Sequence, residues 1–179
     1  MKKNLKTIKE FIENSIGEWK SIRSTHTLAF QEFENTNSNL SISYLEINSR
    51  EILAIKKEFK YSNNPSLAIQ ISCASTSEWS LEKDPEVHQT VLVFFPEDDF
   101  SGTILKNKGY AELIPTFSHY FIDKLDNLNI ISNYNMSISE EKIWFLSENV
   151  RSRYSVVKSK ANNAILQTSH ASEIRKMTT

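Results

Sequence analysis

Three polar residues at alternate positions, Arg151, Arg153 and Ser155, form the segment best suited to chemistry. Successive side chains of a β-strand point to opposite faces, so this spacing puts both guanidinium groups and the hydroxyl on one face. Neighbouring guanidinium groups repel each other unless an anion lies between them, and their N–H donors suit carboxylates or phosphates. The alternation therefore predicts an anion site. The alternative is an exposed edge strand whose arginines are solvated.

The residues before this strand favour a ligand site over a solvated strand. Glu140 and Glu141 supply carboxylates, and Trp144 and Phe145 supply flat apolar surface. Aromatic side chains, Trp79 among them, belong to a core by default. They would also serve as cavity walls for a conjugated ring ligand.

Other kinds of site have little support in the sequence. The four histidines form no pair at metal-ligand spacing, and neither a glycine-rich phosphate loop nor a G-x-S-x-G motif is present. We therefore expect no metal site, no hydrolase and no nucleotide enzyme.

Cys73 has apolar neighbours and no basic residue nearby, which predicts a buried and inert thiol. Arg23 and His26 are three residues apart, which puts them on opposite faces of a regular strand; a joint site would need a β-bulge.

The elements that would position these residues are one helix followed by strands. Asn4 is a candidate N-cap, and apolar residues at helical spacing follow it: Leu5, Ile8, Phe11 and Ile12. After Gly17 the apolar period changes to two. Short runs then recur, which include residues 40–44, 52–59, 67–71, 87–95, 117–125, 127–134, 140–146, 150–157 and 165–168. Gly102 and Gly109 are expected in connections.

Short, regularly spaced strands indicate an antiparallel sandwich or barrel. Several strands carry apolar and polar side chains on both faces, which favours an up-and-down barrel with a partly polar interior. The 179 residues are expected to form one domain, 1–179.

Composition argues against several partners and environments. A net charge of −1 provides no positive electrostatic field that would attract nucleic acid, and a single cysteine excludes an internal disulfide. The charged start and the lack of long apolar runs predict neither a signal peptide nor a membrane span.

Gly17-x-Trp19, at the exit of the predicted helix, is similar to the start of lipocalin-type barrels. In those barrels the Trp plugs the closed end, and an Arg from near the chain's end often stacks on it. Arg175 is the candidate for that Arg; the alternative is a buried Trp without an Arg over it.

Taken together, the residues resemble the S-type phycobiliprotein lyases, the CpcS/CpeS-like family. The resemblance spans nearly the whole chain. It rests on residues 15–26 (SIGEWKSIRSTH), 91–96, 109–112 (GYAE), 140–145 (EEKIWF), 149–155 (NVRSRYS) and 172–175 (SEIR). The family implies a lipocalin-like barrel of about ten strands with an N-terminal helix. Its cavity would hold a linear tetrapyrrole (bilin), which is transferred to a cysteine of a phycobiliprotein subunit.

The resemblance also implies roles for individual residues. Arg151, Arg153 and Ser155 match the bilin-binding strand, with the arginines on the two propionates. Glu141 and Glu173 match carboxylates that contact the chromophore, and we expect them to be catalytic, with Glu141 holding or protonating the pyrroles. Arg23, His26 and Trp79 match positions tied to binding or activity. Cys73 departs from the family, which often has Trp there.

The expected ligand is thus a bilin bound as substrate, with no cofactor. Phycoerythrobilin is the expected bilin over phycocyanobilin, and a β-subunit the expected acceptor; a bilin reductase and a second copy of the chain are further expected partners. The expected compartment is the cyanobacterial cytoplasm, with the plastid stroma as the alternative. Two other functions stay open: a non-enzymatic carrier of the lipocalin or fatty-acid-binding type, and a bilin chaperone without transfer activity.

Overall fold

The structure, a computed structural model, describes residues 6–79, 84–107 and 114–177. Ten strands form a closed antiparallel barrel in which each strand pairs with its neighbours in sequence and the last strand pairs with the first. Their bounds are β1 Gly17–Thr27, β2 Glu32–Tyr44, β3 Leu67–Ser77, β4 Glu86–Pro96, β5 Ser101–Lys106, β6 Thr116–Ile122, β7 Leu128–Asn133, β8 Ser137–Ser147, β9 Val150–Ser159 and β10 Ile165–Arg175. The predicted up-and-down barrel is confirmed.

A short helix, α1 (Ile8–Glu13), covers one end of the barrel. Thr7 is its N-cap: the Thr7 hydroxyl accepts from the backbone N–H of Glu10, and the Glu10 carboxylate accepts from that of Thr7. Ile8, Phe11 and Ile12 are buried, as the helical spacing predicted. The predicted cap Asn4 and the stripe's first residue, Leu5, lie outside the described residues.

Apolar side chains fill the end of the barrel beneath α1. Trp19 is fully buried there and packs with Leu40, Ile42 and Phe94 in the same cluster as the helix residues. We call this the closed end, and the opposite end, where the β1–β2 and β3–β4 hairpins turn, the mouth.

A second helix, α2 (Arg50–Glu58), replaces the strand predicted at 52–59. That prediction was wrong because Ile52 and Ile55 are three residues apart, which is helical spacing. Both side chains are buried against outward-facing residues of β3 to β5, among them Val93 and Leu105.

Strand β5 was not predicted, and Gly102 lies within it rather than in a connection. A Cβ at Gly102 would lie 2.4 Å from the carbonyl oxygen of Phe95 on the neighbouring strand. Glycine is therefore needed for close strand approach, and not for a turn. Gly109 lies outside the described residues.

Candidate functional site

A cavity of about 780 Å³ occupies the barrel interior and opens at the mouth. Its floor is apolar and includes Phe11, Ile42 and Phe94, while its walls carry charged side chains at alternate positions of the strands. The size suits an organic ligand, since pockets for such molecules measure roughly 300–1,000 Å³.

The main charged group in the wall is a carboxylate between two cations. Glu141 on β8 pairs with Lys106 of β5, with Nζ and Oε1 3.2 Å apart, and accepts a hydrogen bond from Arg153 of β9. Lys106 also donates to the Ser132 hydroxyl at 3.2 Å. The Glu141 and Lys106 side chains are almost inaccessible, whereas that of Arg153 is 30% exposed. Arg153 is therefore the member of this triad that a ligand can reach most easily.

Burial raises the pKa of the Glu141 carboxyl, but Arg153 and Lys106 outweigh that effect and hold the pKa at about 2. At neutral pH the group is therefore a carboxylate. It can accept hydrogen bonds from N–H donors and stabilise a nearby cation, but it holds no proton to donate.

Arg151, two residues before Arg153, has a different environment. Its side chain is 7% exposed and ion-pairs with Glu173 of β10, and its guanidinium carbon lies 4.5 Å from the Trp19 ring centroid. Burial lowers the pKa of Arg151, and Glu173 opposes that shift. The anions expected beside the two arginines are thus Glu173 and Glu141 of the protein itself.

The predicted stacking of Arg175 on Trp19 is confirmed. The guanidinium carbon lies 4.2 Å from the Trp19 ring centroid, and Nη1 and Nη2 each donate at 2.5 Å, to the carbonyl oxygens of Ile16 and Asn14. The Trp19 indole N–H donates to the carbonyl of Ser15 at 2.9 Å. These contacts tie the last strand to the α1–β1 junction and seal the closed end.

The structure brings four of the predicted site residues together at the cavity: Arg23, Glu141, Arg151 and Arg153. Glu173 lies next to Arg151 and is 2% exposed. Ser155 faces inward, as the alternation predicted, and shares a 2.8 Å hydrogen bond with Ser169.

His26 and Trp79 do not join this cavity. His26 lies on the outer face of β1, opposite in direction to Arg23, because no bulge interrupts the strand between them. Trp79 is 70% exposed at the mouth, where its indole N–H donates to the carbonyl of Phe33 at 3.1 Å. The opposite faces of Arg23 and His26 are as strand alternation predicted, whereas the core or cavity-wall position expected for Trp79 is wrong. A role of His26 and Trp79 in binding or activity stays a prediction.

Two cavity residues were misjudged or missed from the sequence. Cys73 is partly exposed in the cavity wall rather than buried, because inward-facing positions of β3 border open space. Lys106 was overlooked because β5 was not recognised as a strand. The apolar pattern of residues 101–106, SGTILK, was the signal that could have revealed it.

A family model described as CpeS-like protein matches residues 7–176 of the chain. The chain belongs to the CpeS-like family. It is 35% identical over 171 residues to chromophore lyase CpcS/CpeS 3 of Trichodesmium erythraeum, with 94% of this chain and 98% of the relative covered.

Two further comparisons agree with this membership. The chain is 33% identical over 157 residues to the phycocyanobilin lyase subunit CpcS of Picosynechococcus, with 84% of this chain and 77% of that one covered. The solved S-type phycobiliprotein lyase CPES of Guillardia theta superposes with a TM-score of 0.83 at 26% identity, covering 97% of this chain and 94% of that structure. The protein is a chromophore lyase of this family.

Within the described ranges, no three His, Cys, Asp or Glu side chains lie close enough to hold a metal ion. No helix in those ranges is long and apolar enough to cross a bilayer. What the cavity offers is an apolar floor, accessible guanidinium groups and a charged carboxylate among cations. This combination suits a large, flat ligand that carries both acidic groups and N–H donors.

Proposed function

We propose that the protein binds a bilin in the barrel cavity and attaches it through a thioether to a cysteine of a phycobiliprotein subunit. The observation that carries this proposal is the charged cluster of Arg153, Glu141 and Lys106 in the wall of a cavity of about 780 Å³ whose floor is apolar. Family membership supports the same chemistry, since the relatives are named chromophore lyases.

The acidic groups of the ligand fit the arginines. A bilin carries two propionates, and Arg153 and Arg23 both line the cavity. A charge-assisted hydrogen bond is worth about 1.5–3 kcal/mol. Because Arg153 is paired with Glu141, a propionate would share or take over that guanidinium. Arg151 is more deeply buried, so its contribution combines ligand attraction with support of Trp19.

The reacting ring system fits Glu141. Protonated pyrrole nitrogens are N–H donors, and a carboxylate held in the charged form can accept from them and stabilise the cationic tetrapyrrole. The cation is the more electrophilic form. The acceptor thiol then adds across the ethylidene double bond: a C–S bond forms at the ethylidene carbon, and a proton ends on the adjacent ring carbon. Glu173 assists through Arg151, with which it is paired.

The acceptor supplies the nucleophile in this scheme, so Cys73 has no covalent part. We propose phycoerythrobilin as the bilin and a β-subunit as the acceptor. Phycocyanobilin, for which the Picosynechococcus relative is named, is the comparison pigment. A bilin reductase would be the source of the pigment, and a homodimer is a further expectation.

The experiment is a visible absorption titration with each pigment separately, followed by addition of apo-phycobiliprotein β-subunit. A shifted spectrum that becomes acid-stable and covalent on the acceptor supports the proposal and names the bilin. A shift without covalent transfer would favour a bilin chaperone. If neither pigment shifts, a carrier of another anionic ligand, such as a fatty acid, is the better description.

A further inference from the structure

The mouth of the cavity carries exposed apolar side chains on one side. They belong to the β1–β2 and β3–β4 hairpins, and we call them the mouth rim: Leu28, Phe30, Phe33, Trp79 and Val87, which are 47%, 73%, 44%, 70% and 64% exposed. Aromatic residues in particular are enriched in protein interfaces, because each buries a large area with little loss of side-chain freedom.

Specific contacts hold the two hairpins together. The Trp79 indole N–H donates to the Phe33 carbonyl of the other hairpin at 3.1 Å. Within the β1–β2 hairpin, the His26 ring packs edge-on against Phe33 with centroids 4.9 Å apart. The carboxylate of Glu78 accepts from the backbone N–H of Asn35 at 2.7 Å. The rim is therefore preorganised, which lowers the entropic cost of binding a partner.

The Asp, Glu, Lys and Arg residues that the structure describes in these two hairpins are all acidic. The described residues of the two hairpins, 27–36, 74–79 and 84–88, contain five carboxylates and no Lys or Arg: Glu32, Glu34, Glu78, Asp84 and Glu86. An apolar rim among carboxylates complements a segment that carries apolar and cationic side chains.

The rim also continues into the cavity. Glu34, Asp84 and His88 belong to these hairpins and line the cavity itself. The other end of the barrel is blocked, because Trp19 is fully buried beneath α1 and Arg175 stacks on it. A thiol that reaches a bilin in the cavity must therefore arrive past the mouth.

We infer that the mouth rim is the docking surface for the acceptor subunit, and that it binds a cationic, apolar segment next to the acceptor cysteine. This inference rests on the proposed function. His26 and Trp79 do not line the cavity, and the inference assigns each a role at the rim. His26 supports Phe33, and Trp79 contacts the acceptor subunit.

The test compares two rim variants with two matched controls at the closed end. Phe30→Ser changes an apolar residue of the mouth rim, and Glu32→Lys changes a carboxylate beside it. Leu125→Ser and Glu46→Lys make the same kinds of change elsewhere. Leu125 is 75% exposed in the β6–β7 turn, and Glu46 is exposed just after β2. Each protein is loaded with phycoerythrobilin, and transfer is measured against the concentration of apo-phycobiliprotein β-subunit.

We expect each rim variant to raise the KM for the acceptor about tenfold, while bilin affinity, bilin spectrum and kcat stay within about twofold. The controls should match the wild type. Added salt should raise the wild-type KM, and this dependence should be weaker in Glu32→Lys because an attraction has been removed.

Three results would overturn the inference. An unchanged acceptor KM would show that the acceptor docks elsewhere. A loss of bilin affinity would show that the rim belongs to the bilin site. A wild-type dimer that dissociates on rim substitution, with KM unchanged, would assign the rim to a second copy of this chain. A wild-type protein that binds no bilin would instead overturn the proposed function, which distinguishes the two failures.

Discussion

Lys106 of β5 and Glu141 of β8 form an ion pair inside the barrel, with Nζ and Oε1 3.2 Å apart. Their side chains are only 6% and 1% exposed, so water screens neither charge. Two more cations, Arg153 and Arg151, lie on the next strand, and each has a carboxylate partner. The charges of the cavity wall therefore depend on one another, and removal of one changes the environment of the rest.

Stability should be sensitive to the balance of this cluster. Glu141→Gln leaves Lys106 and Arg153 without their carboxylate, and we expect a loss of about 3 kcal/mol in unfolding free energy. Adding Lys106→Met to Glu141→Gln should recover much of the loss, because it removes an uncompensated buried charge. Urea unfolding of the wild type and the two variants measures both effects. Equal midpoints for wild type and Glu141→Gln would contradict the prediction.

Acid should weaken the fold through the same carboxylate. The pKa of Glu141 is lowered from 4.5 to about 2 in the folded protein. A lowered folded pKa adds stability that is fully present above the unfolded value and is lost as pH falls through the folded value. The wild type should thus lose on the order of 3 kcal/mol between about pH 5 and pH 2 through this group.

The control for that acid effect is Glu141→Gln, whose unfolding free energy should fall less steeply over the same pH range. Some acid sensitivity should remain, because hydrogen bonds from Asn127 and Lys142 outweigh burial and hold the pKa of Asp123 well below its usual range. Identical slopes for wild type and variant would show that Glu141 is not the titrating group.

Binding and transfer should respond to different substitutions. Arg153→Gln removes the accessible guanidinium that we propose binds a propionate, and it should weaken bilin affinity about tenfold. Glu141→Gln should slow transfer more than it weakens binding, because a neutral amide does not stabilise the cationic tetrapyrrole. Arg151→Gln should weaken binding and also lower stability, since Glu173 is left buried and unpaired. Absorption titrations and single-turnover transfer separate these effects, and a pure affinity loss in Glu141→Gln would rule out its catalytic role.

Cys73 offers a direct probe of cavity occupancy. It is the one cysteine of the chain and lines the cavity, so a bound bilin should protect it from alkylation by iodoacetamide. Cys73→Ser should transfer bilin at a rate within about twofold of the wild type, because in the proposed reaction the acceptor supplies the nucleophile. Mass spectrometry measures the alkylated fraction. Equal alkylation with and without bilin would place the ligand elsewhere.

The closed end should depend on Gly17 and Arg175. Gly17 has a φ of +126°, and a Cβ there would lie 2.8 Å from Nη1 of Arg175, so Gly17→Ala should cost about 1–3 kcal/mol of unfolding free energy. Arg175→Lys keeps the charge but cannot reproduce both carbonyl contacts, and it should be less stable than wild type and more stable than Arg175→Ala. Thermal unfolding ranks the variants. Equal stability of Arg175→Lys and Arg175→Ala would show that the positive charge at this position does not stabilise the closed end.

Much of the fold could be predicted from the sequence because inward and outward positions alternate. The alternation in β9 correctly placed Arg151, Arg153 and Ser155 on one face. Strand β5 was not predicted because it has only six residues and contains Gly102, which was expected in a connection. The glycine is instead needed because the neighbouring strand approaches closely there. Helix α2 was mistaken for a strand because the periodicity of its two core residues, Ile52 and Ile55, went unrecognised.

The site was predictable in its residue types but not in its pairings. Strand parity shows which way a side chain points, and it placed Arg23 and His26 on opposite faces. It does not show which strands meet across the barrel, so the contact of Lys106 with Glu141, 35 residues apart, could not be anticipated. Nor does parity show where the barrel interior ends, and for that reason the exposed position of Trp79 at the mouth was not anticipated.

The pairing of β1 with β10 determines when the cavity can exist during synthesis. The wall that holds Glu141, Arg151 and Arg153 closes only when β10 has left the ribosome and met β1, more than a hundred residues earlier in the chain. Such distant pairing makes folding slow and leaves strand edges exposed in the meantime. A nascent chain therefore cannot hold pigment in a complete cavity, and pigment capture should begin only after the barrel has closed.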